Sequence, residues 1–579
     1  FLAETSATSG GLDSLLEPHG PIKEAQELAA RAFGSKQTFF ATNGTSTCNK
    51  IVVQALVRPG DIVLVDRDCH KSHHYGMVLA GAQVVYLDSY PLNDYSMYGA
   101  VPLREIKKTL LELKAAGKLD RVRMLLLTNC TFDGIVYNVE RVMRECLAIK
   151  PDLIFLWDEA WFAFARFGPT YRQRTGMNAA NILRDALRTP EHAAAYAAQQ
   201  EELKNADDEK LLDTQLIPPP DARVRVYATQ STHKTLTALR QGSMIHVNDQ
   251  DFKGEVEQSF HEAYMTHTST SPNYQIIASL DVGRRQVELE GFEFVQRQVE
   301  AAMSMRRAIA THPQLKKYFK VLTAGDMIPE VYRESGITSY YDPGQGWNDI
   351  WECWAADEFV LDATRVTLSV GGTGWDGDTF KNKILMDKYG IQINKTSRNT
   401  VLFMTNIGTT RSSVAYLIEV LVEIANELDD LHDDASKMER RAFEHRVRSL
   451  MEELPPLPDF SRFHDAFRPS GATTPEGDMR AAFFLAYDEE NCDYLGLDGT
   501  LKEAMESGRE VVSASFIIPY PPGFPILVPG QVISEEILAF MRALDVNEIH
   551  GYRPDLGLRV FTEEALTRHA QERLLHAAQ

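Results

Sequence analysis

The sequence predicts an α/β protein whose amino-terminal half forms a mostly parallel sheet covered by helices. Short apolar runs alternate with helical patterns, and small or polar residues stand where the runs end. Runs that are apolar throughout are typical of strands buried on both faces, as in parallel sheets. Ligand sites of such folds lie at the carboxyl ends of the strands.

The predicted strands and helices alternate through the first 290 residues. The strand patterns are TFFAT at 38–42, DIVLVD at 61–66, QVVYLD at 83–88, RMLLLTN at 123–129, DLIFLWDEA at 152–160 and YATQST at 227–232. Helical spacing is clearest at 22–34, with Gly34 as a predicted C-cap, and at 101–117. Residues 180–222 are rich in Ala, Glu, Gln and Lys and end in IPPPD, which indicates a polar helical insertion.

Two further parts follow in the chain. A long helical pattern around 291–312 leads to a smaller α/β part with the runs RVTLSV, GIQINK and TVLFMTNIG. From about 431 the chain is helical and then proline-rich. We therefore expect a large domain over 1–285, a small α/β domain over 286–430 and a C-terminal α+β domain over 431–579.

Charge and cysteine usage narrow the class of protein. The 579 residues include 60 Lys and Arg against 81 Asp and Glu, a formal charge of −21, which disfavours nucleic acid and anionic membranes as partners. No apolar run approaches the ~18–20 residues of a membrane helix. Six scattered cysteines without a CxxC pair indicate reduced thiols, a cytoplasmic location and no cysteine-based metal site. The first residues do not resemble a signal peptide, and because position 1 is Phe we expect an upstream segment to be missing.

A lysine directly after a predicted strand is the strongest local signal of chemistry. Lys234 follows Ser231 and His233 at the end of YATQST. A lysine at a strand-to-loop position can be partly desolvated, so that some of it is neutral and nucleophilic, as a Schiff base requires. The alternative is a solvated surface lysine.

A carboxylate ends another predicted strand. Asp158 follows the apolar run LIFLW, and a buried carboxylate needs a partner. A protonated pyridine nitrogen would be such a partner and would become a stronger electron sink. The alternatives are a helix cap and a salt bridge to an arginine such as Arg166.

Two more motifs stand at strand ends. Gly44, Thr45 and Ser46 lie in a small, hydroxyl-rich loop that opens a helix, where backbone N–H groups and the helix dipole suit a phosphate. The alternative is a plain capping turn. Asp68 to His74 contain three histidines, but no metal-ligand spacing follows and we expect no metal site. We expect the flat imidazole of His70 to stack on an aromatic cofactor, and His73 and His74 to be polar residues on a helix surface.

Together these motifs match the groups of one cofactor. A phosphate loop, a planar side chain, a carboxylate and a lysine at the ends of strands in one sheet correspond to the phosphate, ring face, ring nitrogen and aldehyde of pyridoxal 5′-phosphate. The combination predicts a site for that cofactor.

The chain resembles the prokaryotic ornithine/lysine/arginine decarboxylases. The matching runs are ATNGTSTCNKIV, DRDCHKS, TNCTFDGIVYN, DEAWFAFARFGPTY, TQSTHKTLTAL with QGSMIHV, AYMTHTSTSP, LDATRVTL and IIPYPPGFPILVPG. They cover nearly the whole chain in family order. DEAW followed by FARFGP is most similar to the acid-inducible arginine decarboxylase branch, because the other branches tend to have DSAW.

The resemblance implies a fold, a reaction and a set of site residues. The fold would be the aspartate-aminotransferase type (fold type I), and the reaction decarboxylation of a basic L-amino acid, arginine first and then lysine or ornithine. Lys234 would bind the aldehyde, Asp158 the pyridine nitrogen and His70 the ring face, and Lys234 or His233 would return a proton to Cα. The remaining cofactor-binding residues would be Gly44, Thr45, Ser46, Ala160, Trp161, Ser231, His233 and, from the partner chain of a homodimer, Ser269.

Several departures from the family keep alternatives open. The family's amino-terminal wing domain is not in this sequence, so a dimer is expected rather than a decamer, and the 180–222 insertion is longer than in the enterobacterial enzymes. Arg240 stands where the family commonly has a neutral residue, and VGGTGWDGD at 370–378 differs from the family's segment. Gln531 replaces a glutamate, and if that glutamate binds the substrate's distal cation, its loss weakens the case for a basic substrate. An aminotransferase, aldolase or decarboxylase-oxidase therefore stays possible, and a non-enzymatic relative is the third alternative.

Overall fold

A seven-stranded sheet forms the centre of the larger part of the molecule in a computed structural model, which describes residues 13–393, 395–469, 473–497, 499–519, 524–543 and 549–577. The strands are β1 Gln37–Ala41, β2 Ile62–Asp66, β3 Gln83–Leu87, β4 Val122–Thr128, β5 Ile154–Asp158, β6 Arg225–Gln230 and β7 Ser243–Asp249. Their order is β3-β2-β4-β5-β6-β7-β1. The strands from β3 to β6 are parallel, and β7 is antiparallel to both of its neighbours.

This sheet confirms the predicted α/β class. Each predicted strand run overlaps one of its strands, and β2, β5, β6 and β7 are buried at every position, as expected for strands covered on both faces. The prediction omitted β7, whose polar residues at both ends hide the apolar centre. Because the parallel strands end at one edge, Asp66, Thr128 and Asp158 are neighbours there.

Helices cover both faces of the sheet and continue into the carboxyl-terminal part. The longer ones are α1 Pro21–Phe33, α2 Thr45–Leu56, α3 Lys71–Ala80, α4 Leu103–Ala115, α5 Val139–Ile149, α6 Gly176–Ala186, α7 Pro190–Glu202, α8 Asp208–Asp213, α9 Glu257–His267, α10 Tyr274–Thr311, α11 Ile350–Ala356, α12 Arg411–Asp434, α13 Lys437–Met451, α14 Met479–Leu485, α15 Thr500–Glu506, α16 Glu535–Ala543 and α17 Glu563–Ala577. Helix α1 ends at Gly34 in the left-handed conformation (φ 79°), as its C-cap prediction requires.

A second, smaller sheet packs against α10 and α12. Its antiparallel strands are β8 Lys320–Val321, β9 Arg365–Ser369, β10 Lys395–Thr396 and β11 Thr400–Met404, in the order β8-β9-β11-β10. The predicted strand in GIQINK is reduced to β10. The predicted helix at 291–312 is part of α10, which begins at Tyr274 and crosses the expected boundary at 285. The division into three domains stays a prediction.

The polar insertion is shorter than its predicted range of 180–222. Helix α6 packs against β6 and β7 and buries Met177, Ala180 and Leu183, so the predicted start lies inside the core. Helices α7 and α8 bury none of their residues and form the solvent-facing part. Of the motif IIPYPPGFPILVPG, residues 520–523 lie outside the described residues.

Candidate functional site

One large cavity of about 1420 Å³ opens at the carboxyl edge of the parallel strands. All predicted site residues except Ser269 line it: Gly44, Thr45, Ser46, His70, Asp158, Ala160, Trp161, Ser231, His233 and Lys234. The structure therefore brings together side chains from β5, from the turn after β6 and from the start of α2 and α3.

Lys234 lies in a short helical turn, Thr232–Thr235, directly after β6. Its Nζ is 4.2 Å from the ring centroid of Trp161. Burial, together with the positive charge of Arg365, lowers the pKa of Lys234 to about 8, although the negative charge of Asp158 opposes the shift. A considerable fraction of this amine is thus neutral and nucleophilic near neutral pH, unlike a solvated surface lysine.

Asp158 is held by partners from three segments. Its Oδ2 is 2.6 Å from Nε2 of His73 and accepts a hydrogen bond from Nδ2 of Asn49 at 3.0 Å, while its Oδ1 accepts from the backbone N–H of Ala160 at 3.0 Å. Burial alone would raise the pKa of this carboxyl, but the hydrogen bond and charge of His73, the charge of His70 and the N–H of Ala160 together outweigh burial and lower the pKa to about 2. Asp158 is therefore an anion across the physiological range. Arg166, the alternative partner, instead donates to the carbonyl of Ala32.

The prediction that His73 and His74 lie on a helix surface is wrong. Both side chains are completely buried, because α3 packs between α2 and the C-terminal part of the chain. His73 faces Asp158, and His74 lies 2.8 Å from the hydroxyl of Tyr86. The spacing of His73 with the buried Met77 and Ala80 on one helical face was the signal that could have revealed this.

His70 caps the amino terminus of α3 and lies in the cavity. Its Nδ1 accepts a hydrogen bond from the backbone N–H of Ser72 at 3.2 Å, which fixes the ring. Burial lowers the pKa of His70 to about 4, despite the opposing charge of Asp158. The imidazole is consequently neutral and can lie flat against an uncharged or cationic ring.

The start of α2 presents a group of hydroxyls to the cavity. Thr45 Oγ1 is 2.6 Å from Ser231 Oγ and donates to Ser243 Oγ at 3.3 Å. Gly44 precedes the helix with φ 77°, and its amide donates to the carbonyl of Gln241. The hydroxyls and the first free N–H groups of the helix, rather than the amide of Gly44, are thus available to an anion. Ser243 was missed because nothing in the sequence indicates that β7 lies beside this loop.

The loop before β7 carries His233 and Arg240 toward the same end of the cavity. Nδ1 of His233 donates to the carbonyl of Gly242 at 2.9 Å, and burial lowers the pKa of His233. Arg240 lines the cavity with an exposed side chain. Ser269 lies outside the cavity of this chain, on the exposed segment between α9 and α10.

Charged residues that the sequence did not single out also line the cavity. Arg365 on β9 is 2% exposed, and its Nη2 donates to the carbonyl of Trp161 at 3.0 Å. Asp66, Asp68 and Asp133 add carboxylates, and Asp133 is paired with Lys395. Arg365 comes from the smaller sheet, so only the packing of the two sheets places it here. Among the residues that the structure describes, no group of three or more His, Cys, Asp or Glu is arranged to hold a metal ion.

Comparisons with known proteins place this site in a family context. A family model described as "Orn/Lys/Arg decarboxylase, major domain" matches residues 1–187 and 218–413. Lysine decarboxylase LdcA of Pseudomonas aeruginosa is 30% identical over 572 residues, which cover 94% of this chain and 69% of LdcA. The crystal structure of Francisella novicida lysine decarboxylase LdcF superposes with a TM-score of 0.66 at 25% identity, covering 96% of this chain and 74% of LdcF.

The comparisons refine two expectations. The biodegradative arginine decarboxylase of Escherichia coli is 26% identical, over 95% of this chain and 72% of that enzyme, so the identities do not favour the arginine branch over the lysine branch. The family match omits residues 188–217, the segment that contains the exposed helices α7 and α8. Within the described ranges, no helix combines the length and apolarity that crossing a bilayer needs.

Proposed function

The chain belongs to the Orn/Lys/Arg decarboxylase family, and we propose that it is a pyridoxal-5′-phosphate-dependent decarboxylase of a basic L-amino acid. The observation that carries the proposal is the placement of a lysine with a lowered pKa and a permanently anionic aspartate in one cavity, Lys234 and Asp158. Lysine is the first substrate to test, because LdcA and LdcF are named lysine decarboxylases, and arginine and ornithine follow.

The residues of the cavity fit the proposed cofactor group by group. Thr45 and Ser46 at the amino terminus of α2, together with Ser231 after β6, would hold the phosphate, and the uncharged ring of His70 would face the pyridine ring. Among the described residues the N–H of Ala160 is the one hydrogen-bond partner of Asp158 Oδ1, so this oxygen can accept another hydrogen bond from a protonated ring nitrogen. When bound, the cofactor would supply the electron sink for the bond that breaks at Cα.

The chain's own side chains would do the remaining work. Asp158 stays negatively charged and would hold a proton on the ring nitrogen of the bound cofactor. The guanidinium of Arg365, stacked 5.2 Å from the ring centroid of Trp161, offers a cation for the substrate carboxylate. Lys234 Nζ can carry a proton to Cα after CO2 leaves, and it suits this role better than His233, whose lowered pKa favours the neutral form.

We further propose that two copies of the chain form the active unit. Ser269 does not line the cavity of its own chain, so a phosphate contact from it has to come from the partner. Large apolar side chains are exposed on α10, with Val282, Leu289 and Phe292 each more than half accessible. Such a face suits burial against a second copy. The expectation of a dimer rather than a decamer stays a prediction, as does a cytoplasmic location.

A substrate panel tests the reaction directly. Purified protein with added pyridoxal 5′-phosphate is incubated with lysine, arginine, ornithine and acidic amino acids, and CO2, amine and peroxide are measured. We expect CO2 and the corresponding amine in equal amounts from a basic amino acid. Keto acid, aldehyde or peroxide in place of the amine would favour an aminotransferase, an aldolase or a decarboxylase-oxidase, and no visible absorption with the cofactor would favour a non-enzymatic relative.

A further inference from the structure

Asp68 lies where the large cavity meets a second, smaller one. The smaller cavity has a volume of about 260 Å³ and is lined in part by Asp88, Asp459 and Phe460. Asp68 and Tyr98 line both cavities, so the two are continuous at this point. The side chain of a small molecule bound in the large cavity can therefore reach Asp68.

The carboxylate of Asp68 has no cationic partner among the described residues. Its Oδ1 accepts a hydrogen bond from Ser89 Oγ at 2.9 Å, and no ion pair within 4.0 Å joins it to a lysine, arginine or histidine. Two other carboxylates of the large cavity are more than nine-tenths buried and each has one oxygen without a hydrogen bond, Oδ1 of Asp66 and Oδ1 of Asp133. Lys395 is already engaged by Asp133. Asp68 thus has no countercharge of its own among the described residues, and burial makes such a carboxylate unfavourable without a ligand.

The neighbouring arginine does not neutralise this charge. Arg67 lines the smaller cavity, but its guanidinium is already engaged by neutral oxygens: it donates to the carbonyls of Phe460 (2.9 Å) and Pro525 (2.6 Å) and to Oε1 of Gln531 (2.9 Å). Gln531 is 1% exposed and lines neither cavity. A glutamate at position 531 would accordingly face Arg67, and its replacement by glutamine leaves the negative charge of the cavity in place.

We propose that Asp68 binds the cationic group at the end of the substrate's side chain, an ammonium or a guanidinium. The proposal rests on the proposed function, because it needs the α-amino end of the substrate to lie near Lys234. A charge-assisted hydrogen bond to a ligand cation would satisfy the oxygen of Asp68 that Ser89 leaves free. A basic substrate would then be selected by Asp68, in the segment after β2, and not by the residue at position 531.

A matched pair of ligands tests this recognition apart from catalysis. 1,5-Diaminopentane and pentylamine have the same carbon chain and differ only in the second ammonium group. Binding of both to the cofactor-loaded protein is measured by calorimetry for the wild type and for Asp68→Asn, in which the Asn oxygen can still accept from Ser89. We expect the wild type to prefer the diamine, and the variant to lose at least ~10-fold of that preference.

Two further variants separate a specific contact from a general charge effect. Asp68→Glu keeps the charge and should retain most of the preference for the diamine. Asp152→Asn removes one negative charge from an exposed residue outside both cavities and should leave the preference unchanged. An undiminished preference in Asp68→Asn, or an equal loss in Asp152→Asn, would overturn the proposal.

Steady-state kinetics of Asp68→Asn show whether a negative result contradicts the role of Asp68 or the proposed decarboxylase function. For the basic amino acid that the wild type converts fastest, Asp68→Asn should raise KM at least ~10-fold and change kcat much less. If the wild type decarboxylates that amino acid and the variant has an unchanged KM, only the assignment of Asp68 is wrong. If no basic amino acid is decarboxylated but the diamine preference depends on Asp68, the cation site stands and the reaction has to be assigned anew.

Discussion

Two aspartates at the ends of strands in the same sheet have opposite electrostatic states. Asp66 ends β2 and Asp158 ends β5, each is 3% exposed, and both line the large cavity. His73 and its other hydrogen-bond donors lower the pKa of Asp158 to about 2 in spite of burial. Burial and the nearby Asp68 raise the pKa of Asp66 well above its usual range, and its Oδ1 has no partner within the described residues.

The difference shows that partners, and not burial, decide the charge of a buried carboxylate. The sequence patterns DIVLVD and LIFLWD are equivalent: an apolar run followed by one aspartate. Asn49 on α2 and His73 on α3 reach β5, and Thr229 Oγ1 orients the amide of Asn49 by donating to its Oδ1 at 2.6 Å. At Asp66 the hydrogen bonds from Thr128 also lower the pKa, but burial and the charge of Asp68 outweigh them. The same pattern therefore yields one permanent anion and one carboxyl that favours the neutral form.

The largest loss of activity should come from a substitution of Lys234, whose pKa the negative charge of Asp158 raises. Lys234→Ala removes the only amine that the proposal assigns to the cofactor aldehyde, so the borohydride-reducible bond and the decarboxylase activity should both be lost. The measurement is visible absorption before and after borohydride, followed by peptide mapping. A variant that still forms the reducible bond at the wild-type level would refute the assignment.

Matched substitutions of the two aspartates test the comparison itself. Asp158→Asn removes a charge that is present at neutral pH, and turnover should fall on the order of 10²-fold or more, several kcal/mol of barrier. Asp66→Asn replaces a carboxyl that is largely neutral already, so turnover should change less than about 3-fold. Steady-state kinetics with the best basic amino acid decides between them, and equal losses would contradict the electrostatic distinction.

His73 should have a smaller effect with a particular pH signature. His73→Leu leaves Asp158 with Asn49 and Ala160, so the pKa of Asp158 should rise and turnover at neutral pH should fall about 10-fold. Because activity requires the anion, the acid limb of the pH–rate profile should move to higher pH. His74→Leu is the control, since His74 is equally buried on α3 but contacts Tyr86 instead. A shift of the acid limb in both variants would indicate a general structural effect.

Sequence patterns predict this fold far better than they predict the site's electrostatics. Apolar runs with β-branched residues predict β2 and β5 because burial on both faces demands that composition. Residues at the carboxyl ends of parallel strands meet at one edge of the sheet. For this reason the sequence alone predicts that Asp158 and Lys234 belong to the same site. The approach of Arg365 depends on how the smaller sheet packs and has no local signature, whereas the burial of His73 is indicated only by its helical spacing with Met77 and Ala80.

The free energy of unfolding should show that burying the Asp66 carboxyl destabilises the folded chain at neutral pH. The pKa of Asp66 in the folded state is raised above its ordinary value of 3.8. At low pH the carboxyl is protonated in both the folded and the unfolded state and costs no stability. As pH rises above the ordinary value it ionises more readily in the unfolded state, so the folded state loses stability relative to the unfolded one. Asp66→Asn should therefore raise the free energy of unfolding at pH 7, by about 1 kcal/mol or more, and give no such gain near pH 3. Thermal unfolding at the two pH values measures this. A gain at both pH values would point to packing instead of ionisation.

The smallest effect is expected at Gln531, the position where the family's glutamate is absent. Gln531→Glu places a carboxylate beside the guanidinium of Arg67, whose present partners are the neutral oxygens of Gln531, Phe460 and Pro525. The new carboxylate would form an ion pair with Arg67 and would not line either cavity. KM for a basic amino acid and the preference for a diamine should therefore change less than about 2-fold. Asp68→Asn measured in parallel supplies the contrast, because it changes the charge inside the cavity. A large gain in affinity for basic substrates in Gln531→Glu would mean that Arg67 releases the new carboxylate into the cavity, and the distal cation would then be selected at position 531 after all.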